Sequence, residues 1–321
     1  MLEFWTKLHQ ELSKQQSAIL LIVAAAKGSC PGKPGFKMAV FPDGLLIGTI
    51  GGGKLEFDLV EDSKNLLTQG IILYNCKLII KEHYANGPRS SGMSCAGTQS
   101  IIQTSLTTNQ LSSIENCSLC EKGMKTGSVN ISQNGLYFTM VNLLPNFELK
   151  ILTDKDWSYS ENVTPRDTVY IIGAGHVGLA LSELMKFLDF RVILFDHRDD
   201  INTIDKNTFY DSFITGNYQD IARHIPEDQA TYVVIVSHSH ESDQIVFDHL
   251  LEKQIKYLGL MGSKAKIRKI FNNIDYDLRN SNDKHKVYTP IGIKINSLNS
   301  KEIAISIAAE IISVKNDELV K

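Results

Sequence analysis

Apolar and polar positions follow different rhythms in the two halves of this 321-residue chain. Residues 3–16 carry Phe4, Leu8 and Leu12 at helical spacing, and the apolar run Ala18–Ala26 reads as a buried strand from Ile19 to Ala26. Gly28-Ser-Cys-Pro-Gly-Lys-Pro-Gly35 is too rich in glycine and proline for a helix or central strand and predicts a turn region. Short strands are expected at 36–41 and 45–50, separated by Pro42-Asp-Gly44. A helix is expected from about 54 to 68, and strands around 71–82 and 99–107 flank the turn Asn86–Gly92. Residues 110–160 are polar and irregular, with room for strands at 128–132 and 136–141. The first half therefore reads as mixed α+β.

From residue 168 strand and helix patterns alternate, which favours an α/β fold with a parallel sheet. Strand 168–172 leads to helix 177–188 and strand 191–195. Strand Tyr232–Val236 precedes helix 242–254, and strand Ile255–Leu260 precedes helix 264–272. A closing helix fits 300–314, where Ile303, Ile307 and Ile311 recur every four residues and Asn299 with Glu302 forms a capping-box pattern. The region of Pro165 separates a first domain, 1–160, from a second, 165–321. Two domains of this size can each bury a core.

Charged residues make up 21% of the chain and the net charge is −3, so no basic balance suggests nucleic-acid binding. The longest apolar run is too short to cross a bilayer and lacks a charged leader, so a soluble, cytoplasmic protein is expected. The five cysteines, at 30, 76, 95, 117 and 120, argue against a disulfide scaffold. Cys117-x-x-Cys120 has zinc or redox spacing but no second pair nearby. Those two, with Cys30 and Cys76, read as packing residues.

The second half holds Val169-Tyr-Ile-Ile-Gly-Ala-Gly-His-Val-Gly178, an apolar strand running into spaced glycines and then a helix. Gly173 permits a tight turn, Gly175 lets backbone approach a diphosphate, and Gly178 allows close helix–sheet packing. Asp196 ends the next strand, where a carboxylate can accept ribose hydroxyls. Arg198 either pairs with a 2′-phosphate or is a solvated surface residue. His176 is either a phosphate contact or a helix-start residue. His238, His240 and Asp243, after the strand ending at Val236, are expected to face the glycine loop as ligand or proton-transfer groups, with metal binding, for which their spacing is not diagnostic, and structural hydrogen bonding as the alternatives. Gly262 and Ser263 open the following helix as a second anion contact or as a simple cap.

In the first half, Gly48-Thr-Ile-Gly-Gly-Gly-Lys-Leu-Glu56 stands out. Gly51, Gly52 and Gly53 can present amides to an anion with Lys54 supplying charge, and Glu56 is either an acid or base or a helix-start carboxylate. Cys95, in the loop Arg89–Gly97, is either a thiol for sulfur or metal chemistry or a small buried hydrophobe.

Together these segments resemble the XdhC/CoxI family, the accessory factors of xanthine dehydrogenase and related molybdenum hydroxylases. The resemblance rests on Gly28–Met38, Gly48–Glu56, Gly92–Gly97, Ile172–Gly178, Phe195–Arg198, Ser237–Asp243, Gly259–Lys264, Thr289–Lys294 and Glu302–Glu310. It implies a Rossmann-like C-terminal domain preceded by an XdhC-type α+β domain. It further implies binding of molybdenum cofactor (molybdopterin), cooperation with a cysteine desulfurase for its sulfuration, and delivery to an apo-form molybdenum hydroxylase. Carried over by position, Gly51, Gly52, Gly53, Glu56 and Cys95 belong to the first signature. Gly173, Gly175, His176, Gly178, Asp196, His240, Asp243 and Ser263 belong to the second. Lys54 stands where some members have cysteine, and Ser94-Cys95 where some have a cysteine pair. Two other readings stay open: an NAD(P)-dependent oxidoreductase, and a nucleotide-sensing regulatory or scaffold protein. A homodimer, with the first-half glycines meeting the crevice of a second copy, is also an expectation.

Overall fold

The computed structural model describes residues 3–72, 76–82, 97–142, 147–153, 155–262 and 287–316. It divides into two compact units, Met1–Pro165 and Arg166–Lys321. The turn Asn86–Gly92, Cys95, Ser263 and the helix expected at 264–272 lie outside the described residues.

In the first unit the apolar run becomes β1 (Ser17–Gly28). It is the middle strand of an antiparallel sheet that also holds β2 (Lys37–Val40), β3 (Leu46–Gly48), β4 (Lys77–Glu82) and β5 (Gly97–Thr107), in the order β3-β2-β1-β5-β4. Both faces of β1 are covered, which is why its sequence shows no alternation. Ile19, Leu21 and Val23 pack with Leu55, Leu59 and Val60 of α2 (Gly53–Thr68). Ala18, Leu20, Ile22 and Ala24 pack with Leu8 and Leu12 of α1 (Phe4–Gln15).

Residues 110–160 are far more ordered than their polar sequence suggests. They form α3 (Leu111–Glu121) and a second antiparallel sheet of β6 (Ser128–Ser132), β7 (Gly135–Thr139), β8 (Phe147–Thr153) and β9 (Asp156–Asn162), ordered β7-β6-β9-β8. The signal was hidden because α3 buries Ile114, Cys117, Ser118 and Cys120, a face with one large aliphatic side chain and three small residues. β8 lies at a sheet edge and is mostly exposed, so the expected strands at 128–132 and 136–141 were only half of the sheet.

The second unit is a parallel sheet of six strands: β10 (Thr168–Ile172), β11 (Arg191–Asp196), β12 (Ser212–Thr215), β13 (Thr231–Ile235), β14 (Tyr257–Leu260) and β15 (Val287–Tyr288), ordered β12-β11-β10-β13-β14-β15. Val169 and Ile171 face a core with α4 (His176–Phe187) and α6 (Ser300–Asn316). Tyr170 and Ile172 face the opposite core with α5 (His240–Leu250) and the short 3-10 helix Tyr218–Arg223. Helices on both faces of a parallel sheet make this unit Rossmann-like. Here α5 starts earlier and ends earlier than the expected 242–254, and the short strands β12 and β15 carry too few residues to give a period. At the start of α6 the Asn299 carboxamide oxygen accepts the Lys301 and Glu302 amides, but Glu302 reaches back to the Leu298 amide instead of Asn299's own.

Candidate functional site

Chain order reverses around β10, which lies between β11 and β13, and in such sheets the crevice beyond the strands' carboxyl ends is where ligands bind. The three glycines there have three different jobs. Gly173 turns at φ 119°, and a Cβ on it would lie 2.5 Å from the Val236 carbonyl oxygen. A Cβ on Gly178 would lie 2.1 Å from the Gly173 carbonyl oxygen, so α4 can approach the loop only without a side chain at this point. At Gly175 a Cβ would meet no described atom within 4 Å. Gly175 is also the cap residue of α4, and no described side chain caps that helix start. The first-turn amides, which carry the positive end of the helix dipole, are therefore left without a side-chain cap among the described residues. His176 is the first residue of α4 and is exposed.

Asp196, at the end of β11, is fully buried. Its Oδ2 accepts the Ala174 amide at 2.9 Å and Arg198 Nη2 at 3.2 Å, while Oδ1 accepts Arg198 Nε at 3.0 Å and the Arg198 amide at 3.2 Å. Burial raises its pKa, but the bonds from Arg198 and Ala174 outweigh it and hold the carboxyl below its ordinary value. Asp196 thus ties the glycine loop to β11, and the half-exposed group at that strand end is the Arg198 guanidinium. Thr203 adds a second tie, its hydroxyl donating to the Ala174 carbonyl.

At the end of β13 the expected trio separates. His238 is exposed, and its ring stacks on His197 at 5.1 Å between centroids. His240 opens α5 and is exposed, whereas Asp243 is fully buried and accepts the Ser237 hydroxyl. Asp243 therefore braces the loop from beneath and does not line the open crevice, contrary to the expectation that it would face the glycine loop's open side. Sequence reasoning missed His197 and Tyr218. His197 Nδ1 lies 3.2 Å from Asp196 Oδ1 and 3.3 Å from the Tyr218 hydroxyl, whose pKa burial and then the Asp196 charge push well up. Position alone marks His197, since it directly follows the strand-ending Asp196. Gly262 lies two residues beyond β14, at the same end of the sheet.

In the first unit Gly51, Gly52 and Gly53 all have positive φ, 120°, 75° and 73°. Their loop turns the Ile50 and Gly52 amides onto the chain's own Glu56 and the Gly51 amide onto Thr49, while a Cβ on Gly52, which caps the start of α2, would meet no described atom within 4 Å. Glu56 Oε2 accepts the Thr49 hydroxyl at 2.5 Å, the Ile50 amide at 2.8 Å and the Gly52 amide at 2.9 Å. Burial pushes Glu56 up, and the Thr49 and backbone bonds more than offset it, leaving the carboxylate below its ordinary pKa. Such a group is a clamp that stays ionised, and Lys54 beside it is exposed. Backbones interlock here: a Cβ on Gly51 would fall 2.3 Å from the Gly32 nitrogen, and one on Gly32 2.0 Å from the Ile50 oxygen. Gly97, which opens β5 two residues after Cys95 in sequence, would place a Cβ 2.6 Å from Cys30 Sγ. Cys30, Cys76, Cys117 and Cys120 are buried and not joined in disulfides, and among the described residues no cluster is built to hold a metal ion. No described helix is long and apolar enough to cross a membrane.

Two family models match this chain, that of the XdhC and CoxI family over residues 12–74 and that of the XdhC Rossmann domain over residues 169–311. The chain belongs to the XdhC and CoxI family. It is 24% identical to a probable xanthine dehydrogenase subunit of Bacillus subtilis (strain 168), covering 97% of each chain. It is 23% identical to the protein YqeB of Escherichia coli (strain K12), over 92% of this chain but only 43% of YqeB. The crystal structure of a xanthine dehydrogenase from Bacillus halodurans superposes with a TM-score of 0.77 at 21% identity, covering 99% of this chain and 96% of that one. That likeness extends the shared fold over both units of this XdhC/CoxI member.

Proposed function

We propose that this chain is an accessory protein of a xanthine-dehydrogenase-type molybdenum hydroxylase, and that its second unit takes the phosphate-bearing end of the molybdenum cofactor. The observation that carries the reading is Gly175, where no described atom would crowd a Cβ and no described side chain caps the helix start. A phosphate needs backbone donors and room for close approach, and this loop supplies both. The residues that would hold it are the amides of Gly175, His176 and Val177, with Arg198 and His238 as the neighbouring polar groups. When bound, the group supplies molybdenum and its sulfur-containing ligands, to be passed on to the apo-form hydroxylase. Because the described cysteines are buried, the thiol role in sulfuration, with a cysteine desulfurase as sulfur source, falls to Cys95.

Asp196 is the single feature that favours a nicotinamide dinucleotide instead. Its carboxylate is buried and already accepts the Ala174 amide and the Arg198 guanidinium, so reading a ribose diol would require breaking those bonds. The test is anaerobic purification of the full chain from a cofactor-producing host, with pterin and molybdenum quantified. Bound pterin that is lost in Gly175→Ala supports the proposal, as does a Cys95→Ala chain that keeps pterin but fails to activate the hydroxylase. Absence of pterin under conditions that mature the hydroxylase refutes it, and tight NAD(H) or NADP(H) binding with redox turnover replaces it with the dehydrogenase reading.

A further inference from the structure

The edge of the first unit's second sheet carries a self-complementary strand. β8 pairs with β9 on one side, and no described strand pairs with its outer side. An unpaired edge is a template for another strand, and chains usually blunt it with proline, a bulge or charged side chains that reject an unmatched strand. Phe147-Glu-Leu-Lys-Ile-Leu-Thr153 has no proline, and its irregularity lies at the far end, between Ile151 and Thr153. Apolar side chains are left uncovered there: Ile151 is 45% exposed and Leu152 78%. They border a hollow of about 250 Å³ with Trp157 and Asp156. Phe147, Leu149 and Ile151 share the face of Tyr159 and Trp157, whereas Glu148 and Lys150 lie on the other face, 2.8 Å apart and exposed.

We propose that β8 pairs antiparallel with β8 of a second copy of this chain, about a two-fold axis through Leu149. In that register Glu148 stands opposite the partner's Lys150, Lys150 opposite the partner's Glu148, and Phe147 opposite the partner's Ile151. The neighbouring choices are poor. An axis at Lys150 sets two ammonium groups against each other, and an axis at Glu148 sets two carboxylates together, both unfavourable across a strand pair. An axis between residues pairs apolar with charged positions and turns the core-facing side chains to the wrong face. Opposite charges and matched apolar residues therefore select one register and one occupant, a copy of the same strand joined isologously.

The test is sedimentation velocity on the full chain over a concentration series, with circular dichroism to confirm folding. The wild type is expected to show a monomer–dimer equilibrium. Lys150→Glu and Glu148→Lys each replace two attractive pairs with two repulsive ones, and should raise the dimer dissociation constant about tenfold or more. The double variant Glu148→Lys/Lys150→Glu restores the pairing with its charges exchanged and should return to within about threefold of the wild type. Both side chains are exposed, so none of these variants should unfold the unit. A wild type that stays monomeric overturns the proposal. So does a dimer that ignores both single substitutions, or a double variant that behaves like the singles.

Discussion

Replacing Gly175 and Gly178 by alanine, one at a time, separates ligand space from packing within a single turn of chain. At Gly178 the new methyl would fall 2.1 Å from the Gly173 carbonyl oxygen, so α4 or the loop must move by more than about 1 Å to reach an ordinary contact of about 3.4 Å. Overpacking of that kind costs about 1–3 kcal/mol, and a rigid backbone carbonyl argues for the upper end. Alanine's better helix propensity returns about 1 kcal/mol. The net loss is about 2 kcal/mol, which for a unit of this size is a fall of roughly 4–8 °C in melting temperature. At Gly175 the methyl meets no described atom within 4 Å and φ is −72°, which alanine adopts freely. Stability should therefore stay within about 0.5 kcal/mol of the wild type. The same methyl occupies the space a phosphate would need, so bound pterin should fall by about tenfold or more. Thermal unfolding followed by circular dichroism, paired with pterin quantification on the purified chains, reads both numbers. If Gly175→Ala melts as low as Gly178→Ala, or keeps its pterin, the division of labour among these glycines is wrong.

Glu56→Gln keeps the shape of the first-unit clamp but removes the charge that strengthens its three bonds, and should cost about 1–2 kcal/mol at neutral pH. Because the folded carboxyl titrates below its unfolded value, its contribution is present above the unfolded pKa and is lost as pH falls through the folded one. The melting-temperature gap between wild type and Glu56→Gln should thus narrow below about pH 4, and a gap that widens there refutes the clamp. Lys37 lies in the first unit beside a cleft of about 150 Å³, with its ammonium 2.6 Å from Glu161 and 2.8 Å from the Gly35 oxygen. Lys37→Met leaves the part-buried Glu161 without its cation, though still bonded to the Tyr159 hydroxyl, and should cost about 2 kcal/mol in urea unfolding, part of it recovered by adding Glu161→Gln; a neutral single variant would deny the pair its role. Burial, followed by the charges of Cys120, Glu161 and Glu121, pushes the Cys117 thiol well up. Iodoacetamide labelling at mildly alkaline pH with peptide mass spectrometry should therefore find Cys117 unmodified in the folded chain and modified in denaturant, and equal rates in both would count against its burial.

What was legible in the sequence depended on how local the signal was. Gly173, Gly175 and Gly178 could be assigned separate roles because each role follows from backbone geometry within a few residues. β1 was readable as a buried strand because covering both faces leaves an unbroken apolar run. α3, β8 and β9 were not, since their burial is set by partners distant in sequence. Trp157 and Tyr159 pack into the core, but their neighbours Asp156, Ser158 and Ser160 are polar, and the hairpin partner β8 is an exposed edge. Glu56 shows the same limit from the other side. Its spacing from the triple glycine is visible in the sequence, but whether the amides face outward or turn onto that carboxylate depends on how the loop closes against Gly32.

The sequence by itself determined that this chain has an α+β half and a strand–helix alternating half, and that it carries the motif set of the XdhC and CoxI family. Those properties reside in hydrophobic period, glycine spacing and motif order, which need no long-range information. Tertiary structure alone decided which polar groups are spent inside the protein. Asp196, Asp243 and Glu56 look alike as isolated carboxylates at the ends of strands and helices, yet folding binds all three to nearby donors. Burying an ion demands partners, and the chain supplies them from its own backbone wherever it can reach, whereas a Cβ at the cap glycines Gly52 and Gly175 would meet no described atom within 4 Å.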